Sequence, residues 1–263
     1  MRVLIVKNYD ELSKEAGKVI RNRLEQKPDL VLGLSAGSTP LGLYRELIRM
    51  HRENNISFAK VRAFSLDEYL GLKPDNNQSY HYFMFENLFN HIDVPRENIY
   101  IPDGQTKDPE KFCQWYEDEI EKTGGLDIQI VGIGRDGHIG FNEPGSSLAS
   151  RTRVKTLDEK TIKDNSRFFA KPEDMPRFAI TMGVGTILES KEILFLANGA
   201  GKSEIVARAI EGPVTSQVTA SILQIHPKTI AILDETAAAD LQRKDYYKYA
   251  EEQTRQFEKG MPG

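Results

Sequence analysis

The chain has 263 residues, 39% hydrophobic and 28% charged, with a formal net charge of -4. Such a length fits one large domain, and such a balance fits a soluble globular protein. Both charge signs are spread along the chain, which excludes the electrostatic footprint of a nucleic-acid or anionic-membrane binder.

The predicted elements alternate from the start. RVLIV (2–6) is a buried strand, and YDELSKEAGKVIRNRLEQ (9–26) repeats apolar residues at helical spacing. The apolar run at the N-terminus is too short for a signal peptide. DLVLGL (29–34) is a second strand, followed by a helix over 39–53 with Thr39 as N-cap and Pro40 in its first turn. VRAFSL (61–66), LDIQIVGI (126–133), EILFLA (192–197) and TIAIL (229–233) are further strands. Helical patterns lie near 108–122, 201–211 and 235–243, and a helix rich in aromatics stands between His81 and His91. Near-continuous apolar strands separated by helices predict a single α/β domain over 1–263, with a mainly parallel, doubly wound sheet and helices on both faces. The polar stretch from about 150 to 177 leaves this pattern and is expected to form a lid at about 156–180. No run approaches the roughly 18 apolar residues of a membrane helix. The single cysteine, Cys113, cannot form an internal disulfide, so a cytoplasmic location is expected.

Ligands of such sheets bind beyond the carboxyl ends of the strands. SAGSTP (35–40), DEY (67–69), GRDGHIGFNEPG (134–145) and NGAGKS (198–203) stand there. GIGRDG (132–137) matches G-x-G-x-x-G, but HIGFNEPGSS cannot open the helix that a dinucleotide site requires. NGAGKS lacks the first glycine of a P-loop, because that position is Leu196. A weaker role survives, in which Lys202 and helix-start N–H groups bind one phosphate; a solvent-facing helix start is the alternative. The small residues Ser35, Gly37, Ser38 and Thr39 offer a second anion-friendly turn, or an ordinary capped one. Two such turns suggest one phosphorylated ligand shared between them.

Of Asp67 and Glu68, one is expected to face the cleft as a base and the other to serve the turn. Asp136, His138 and Glu143 fall within eight residues. A carboxylate fixes the tautomer of a histidine and raises its basicity, which suits proton transfer. Metal ligation is the rival, but no second nearby histidine completes a familiar ligand set. The other histidines and Cys113 read as packing or surface residues.

Together these motifs resemble the glucosamine-6-phosphate deaminase (isomerising) family. SLDEYLGL, GIGRDGHIGFNEPGSSLASRTR and NSRFF carry the likeness, with GLSAGSTPLGLY and LQIHPK in the same order. The STP turn and the G-x-G-x-D-G-H core are shared with 6-phosphogluconolactonases, whereas DEY and GFNEPGSSLASRTR are similar to the deaminases alone. The resemblance implies a modified Rossmann-like fold with a mobile lid, and a reaction that takes glucosamine 6-phosphate and water to fructose 6-phosphate and ammonia without cofactor or metal. It implies His138 as the group that opens the sugar ring, Asp136 and Glu143 as its tuners, and Asp67 as the base acting at carbon 2. It also implies a phosphate site at Ser35, Gly37, Ser38, Thr39 and Lys202 with Arg167 from the lid. Family members are monomers or hexamers activated by N-acetylglucosamine 6-phosphate. Ser146, Arg153, Lys155 and Thr156 match the effector motif, and the extended tail favours a homohexamer. A Tyr-Phe pair of the family is replaced by YYKY (246–249), with Lys248 between Tyr247 and Tyr249. The rival readings are another sugar-phosphate isomerase or lactonase, separated by ammonia release, and a non-catalytic sugar-phosphate sensor, which has no need of all four acid–base residues.

Overall fold

A computed structural model describes residues 1–167, 169 and 171–260; Phe168 of the NSRFF motif lies outside them. The strands are β1 (Arg2–Val6), β2 (Val31–Leu34), β3 (Arg62–Ser65), β4 (Asp67–Tyr69), β5 (Ile99–Tyr100), β6 (Ile128–Val131), β7 (Arg153–Thr156), β8 (Phe178–Thr181), β9 (Glu192–Ala197) and β10 (Thr229–Asp234). The helices are α1 (Tyr9–Gln26), α2 (Leu41–Asn54), α3 (Tyr80–Asn87), α4 (Pro109–Lys122), α5 (Glu159–Ser166), α6 (Val184–Leu188), α7 (Ser203–Ile210) and α8 (Lys244–Gly260). Seven strands form one parallel sheet in the order β1-β10-β9-β6-β2-β3-β5. Side chains alternate between its faces. Val3, Val31, Ile193 and Phe195 join the core beneath α4, α6 and α7, while Leu4, Leu32, Leu194 and Leu196 join the core beneath α1, α2 and α3. The expected doubly wound α/β sheet is therefore present. No helix of the described residues is long and apolar enough to cross a membrane.

The chain runs outward from β2 to β3 and β5 on one side, and from β6 to β9 on the other. The boundary between β2 and β6 is the switch point at which such sheets open a crevice. The loops over 35–40 and 132–145 leave from these two strands.

A second, antiparallel sheet, β4-β8-β7, was not anticipated. Its strands are three or four residues long and mostly pair across large sequence separations, so no local pattern announces them. Leu66 joins the two sheets: its N–H donates to Leu34 O at 2.7 Å, and its carbonyl accepts Met182 N–H at 2.8 Å. Asp67 follows, just beyond the crevice. The expected lid is bounded by paired strands, with Thr156 in register with Phe178. Leu157 and Met175 pack with Tyr69, Phe141 and Ala179 in a satellite core, with Ile162 and Phe169 against it.

Two local expectations fail. Thr39 does not cap α2: its hydroxyl donates to Asn198 Oδ1 at 2.9 Å. The hydroxyl of Tyr9 instead accepts the Gly42 N–H at 2.7 Å. Residues 235–243 form turns rather than a helix, because the Asp234 carboxylate accepts from Gly199 N–H, Thr236 O–H and Ala237 N–H and holds the chain in a bend. The helix begins at Lys244 instead.

Candidate active site

The loop after β6 owes its path to glycine. A Cβ on Gly134 would lie 2.4 Å from Nε2 of His138, so the imidazole can fold back over position 134 only if that residue has no side chain. Gly137 has φ +94°, and a Cβ there would meet Val218 Cγ1 at 2.6 Å. The bond from Gly134 N–H to His138 O, 2.9 Å, closes the turn. His138 Nδ1 then lies 2.8 Å from Asp136 Oδ1 and 3.2 Å from Glu143 Oε2. Glu143 is buried, and its Oε1 accepts Asp158 N–H at 3.2 Å from the chain that leads into α5.

Burial by itself would lower the basicity of this imidazole. The two carboxylates at Nδ1 reverse that and raise its pKa to about 9. Burial likewise disfavours a charged Asp136, but the histidine beside it brings that carboxyl down to about 2. The group is therefore an imidazolium held between two carboxylates near neutral pH. The ligand atoms of Asp136, His138 and Glu143 all lie within 4.8 Å of one another, close enough for a metal ion. Both carboxylates approach the same nitrogen, however, so an ion would have to displace the proton that they stabilise.

Asp67 and Glu68 are held differently. Glu68 turns away from the crevice: its carboxylate accepts Tyr69 N–H at 2.7 Å, Tyr80 N–H at 3.0 Å and His81 N–H at 2.8 Å, which ties β4 to the start of α3. Burial raises it to about 7 despite these donors. Asp67 is 6% exposed. Burial, and then the charge of Glu68, raise its carboxyl to about 8, while the positive charge of His138 pulls it back. Asp67 and His138 therefore lie within electrostatic reach of each other.

The two anion-friendly turns meet. Thr39 O–H reaches Asn198 across the end of β6, which joins the 35–39 loop to the 198–202 turn. Lys202 Nζ donates to Ile133 O at 2.7 Å and so stands at the mouth of the His138 loop. The hydroxyl of Ser35 is buried without a partner among the described residues, and Gly37 takes φ +118°. Ser38 gives its carbonyl to the Tyr9 hydroxyl at 2.9 Å. Arg167 is exposed at the carboxyl end of α5.

The effector-motif residues do not share one face. Arg153 and Lys155 alternate with Val154 and Thr156 along β7, and Ser146 is buried in the loop with its hydroxyl unpartnered among the described residues. Arg153 lines a groove of about 1160 Å³ between α4 and β7 whose walls also carry Glu110, Glu117, Asp118 and Glu189. Sequence reasoning missed Asn142, Asn198 and Tyr9, which shape the site from behind; Asn142 alone carried a signal, as the neighbour of Glu143.

Fold and site together define a doubly wound α/β protein with acid–base groups and an anion-friendly cradle at its switch point. The chain belongs to the glucosamine-6-phosphate isomerase/6-phosphogluconolactonase family, whose profile matches residues 7–232. It is 50% identical over 245 residues to a glucosamine-6-phosphate deaminase of Thermoanaerobacter pseudethanolicus (strain ATCC 33223 / 39E), covering 93% of this chain and 97% of that one. It is 49% identical over 246 residues to a glucosamine-6-phosphate deaminase of Clostridioides difficile (strain 630), covering 94% and 99%. A solved monomeric glucosamine-6-phosphate deaminase superposes with a TM-score of 0.89 at 44% identity, over 91% of this chain and all of that one.

Proposed function

We propose that this site takes glucosamine 6-phosphate and water to fructose 6-phosphate and ammonia, with His138 and Asp67 as its two proton-transfer groups. The chain is an enzyme of amino-sugar metabolism, and its near relatives carry the deaminase name across almost their full length. One observation carries the assignment of roles: His138, with Nδ1 2.8 Å from Asp136 and 3.2 Å from Glu143, lies within electrostatic reach of the buried Asp67 carboxyl.

Protonated His138 gives its proton to the ring oxygen and takes the carbon 1 hydroxyl proton in its place, and the pyranose opens to the aldehyde. Ionised Asp67 removes the proton on carbon 2 and returns it to carbon 1. As the electron pair moves through an enolamine, His138 returns its proton to the carbon 1 oxygen, and the nitrogen is left on carbon 2 as an imine. Water adds to that carbon, and ammonia departs to leave the ketone. A carboxylate of raised pKa is a stronger base than an ordinary one, which suits abstraction from carbon. The phosphate is held by Ser35, Gly37, Ser38, Thr39 and Lys202; Arg167 reaches it when the segment from 156 to 180 closes as a lid.

Two further proposals concern assembly. The outward aromatics Tyr246, Tyr249 and Phe257 on α8, 53–66% exposed, support a homo-oligomer, which we assign as a hexamer in the cytoplasm. Activation by N-acetylglucosamine 6-phosphate at Ser146, Arg153, Lys155 and Thr156 is proposed from the effector motif alone, with Arg153 the member that lines the groove. A monomeric mass by light scattering excludes the hexamer, and a rate curve unmoved by the effector excludes the activation.

The reaction itself is tested by following ammonia and fructose 6-phosphate from glucosamine 6-phosphate. Equal yields of both are expected. Substrate binding without ammonia would make the chain a sensor.

A further inference from the structure

Asn142 stands next to Glu143 and is 0% exposed. Its side-chain amide is fully engaged. Nδ2 donates to Ile139 O at 2.9 Å and to Met182 O at 2.8 Å, and Oδ1 accepts from Arg153 Nη1 at 2.9 Å. Its backbone carbonyl accepts the Thr219 hydroxyl at 2.9 Å.

These partners belong to separate parts of the site. Ile139 follows His138 in the loop. Met182 follows β8, on which Thr181 stands in register with Asp67, and its N–H is bonded to the carbonyl of Leu66, the residue before the base. Arg153 stands in register with Thr181 on the far side of that strand. One side chain therefore spans from the loop that carries the imidazole to the sheet that carries the carboxylate.

We infer that Asn142 is a positioning residue that sets the spacing between His138 and Asp67, with Arg153 as the clamp that orients its amide. The inference rests on the reaction proposed above, in which these two groups act at different atoms of one substrate. Asparagine meets this geometry because two carbonyls need two donors from one short side chain. Aspartate would oppose its oxygens to both carbonyls, and leucine of similar size would bond to neither. A displacement of about 1 Å between reacting groups costs on the order of 10²-fold in rate.

The test is kinetic and spectroscopic. Asn142→Leu and Arg153→Met are compared with the parent for kcat, KM and the titration of the His138 imidazole, followed by nitrogen NMR on histidine-labelled enzyme without effector. Asn142→Leu is expected to lower kcat about 10²-fold with KM moved less than about threefold. Its His138 titration should fall toward the ordinary range, because Glu143 is no longer held at Nδ1. Arg153→Met should move both readouts in the same direction, with kcat down about tenfold. A folded Asn142→Leu with unchanged kcat and unchanged titration overturns the inference. If that variant does not fold, Arg153→Met decides: parental kcat and titration overturn it, and a joint shift supports it. The titration does not depend on which substrate is turned over. A parent inactive on glucosamine 6-phosphate would therefore sink the reaction without deciding the positioning role, which the titration reads separately.

Discussion

Four carboxylates stand on the two segments that frame the proposed reacting space, and these segments are environments that pull in opposite directions. On the loop after β6, Asp136 and Glu143 flank a histidine, and Asp136 falls to about 2 while His138 rises to about 9. On β4, Asp67 and Glu68 are neighbours in a buried strand, and they rise to about 8 and about 7. Asp136 is held as an anion in one place, and Asp67 and Glu68 become reluctant acids in the other. What differs is the companion: a shared cation on the loop, burial and a like charge on the strand. Groups driven apart in this way divide the work of a proton-transfer site between acid and base.

The largest expected effect comes from removing either proton carrier. His138→Gln should lower kcat about 10²–10⁴-fold and leave substrate affinity nearly intact, read by steady-state rates and direct binding. Equal loss of both would mean that the loop is only structural. Asp67→Asn should cost a similar factor in turnover but stabilise the fold at high pH. The folded carboxyl titrates near 8 against an ordinary 3.8, so it is protonated in the folded chain where the unfolded chain has already ionised. Stability is therefore lost as pH rises between those values and levels off above 8. The variant should gain on the order of 1–3 kcal/mol at pH 9 and nothing below pH about 4, checked by denaturant unfolding. Lys202→Met should raise KM about 10–10²-fold with a smaller change in kcat, as loss of a charged phosphate contact does. The smallest effect tests the metal alternative: exhaustive chelation should leave the rate unchanged if both loop carboxylates serve the His138 proton, and lost activity restored by added metal would make the three residues a metal site.

Much of this comparison was legible in the chain. Asp136, His138 and Glu143 stood in one short glycine-rich run, and the adjacency of Asp67 and Glu68 said that they would face apart. The parallel sheet announced itself through buried apolar runs such as EILFLA. The small sheet did not: RVKT and FAIT are short, partly exposed and paired at a distance. For the same reason the anchoring of β4 by Glu68 on α3, twelve residues later, carried no local signature. Residues 235–243 misled because alanines that favour a helix were overruled by the bonds to Asp234.

The most direct measurement is the pH dependence of kcat/KM for the parent beside Asp136→Asn and Glu68→Gln. The parent should rise through pH about 8 as Asp67 ionises and fall through about 9 as His138 loses its proton. Glu68→Gln should move only the acid limb, downward, because a like charge beside Asp67 is gone. Asp136→Asn should move chiefly the alkaline limb, also downward, because His138 has lost a carboxylate. If both variants shift the same limb, or neither shifts any, the division of labour between loop and strand is wrong.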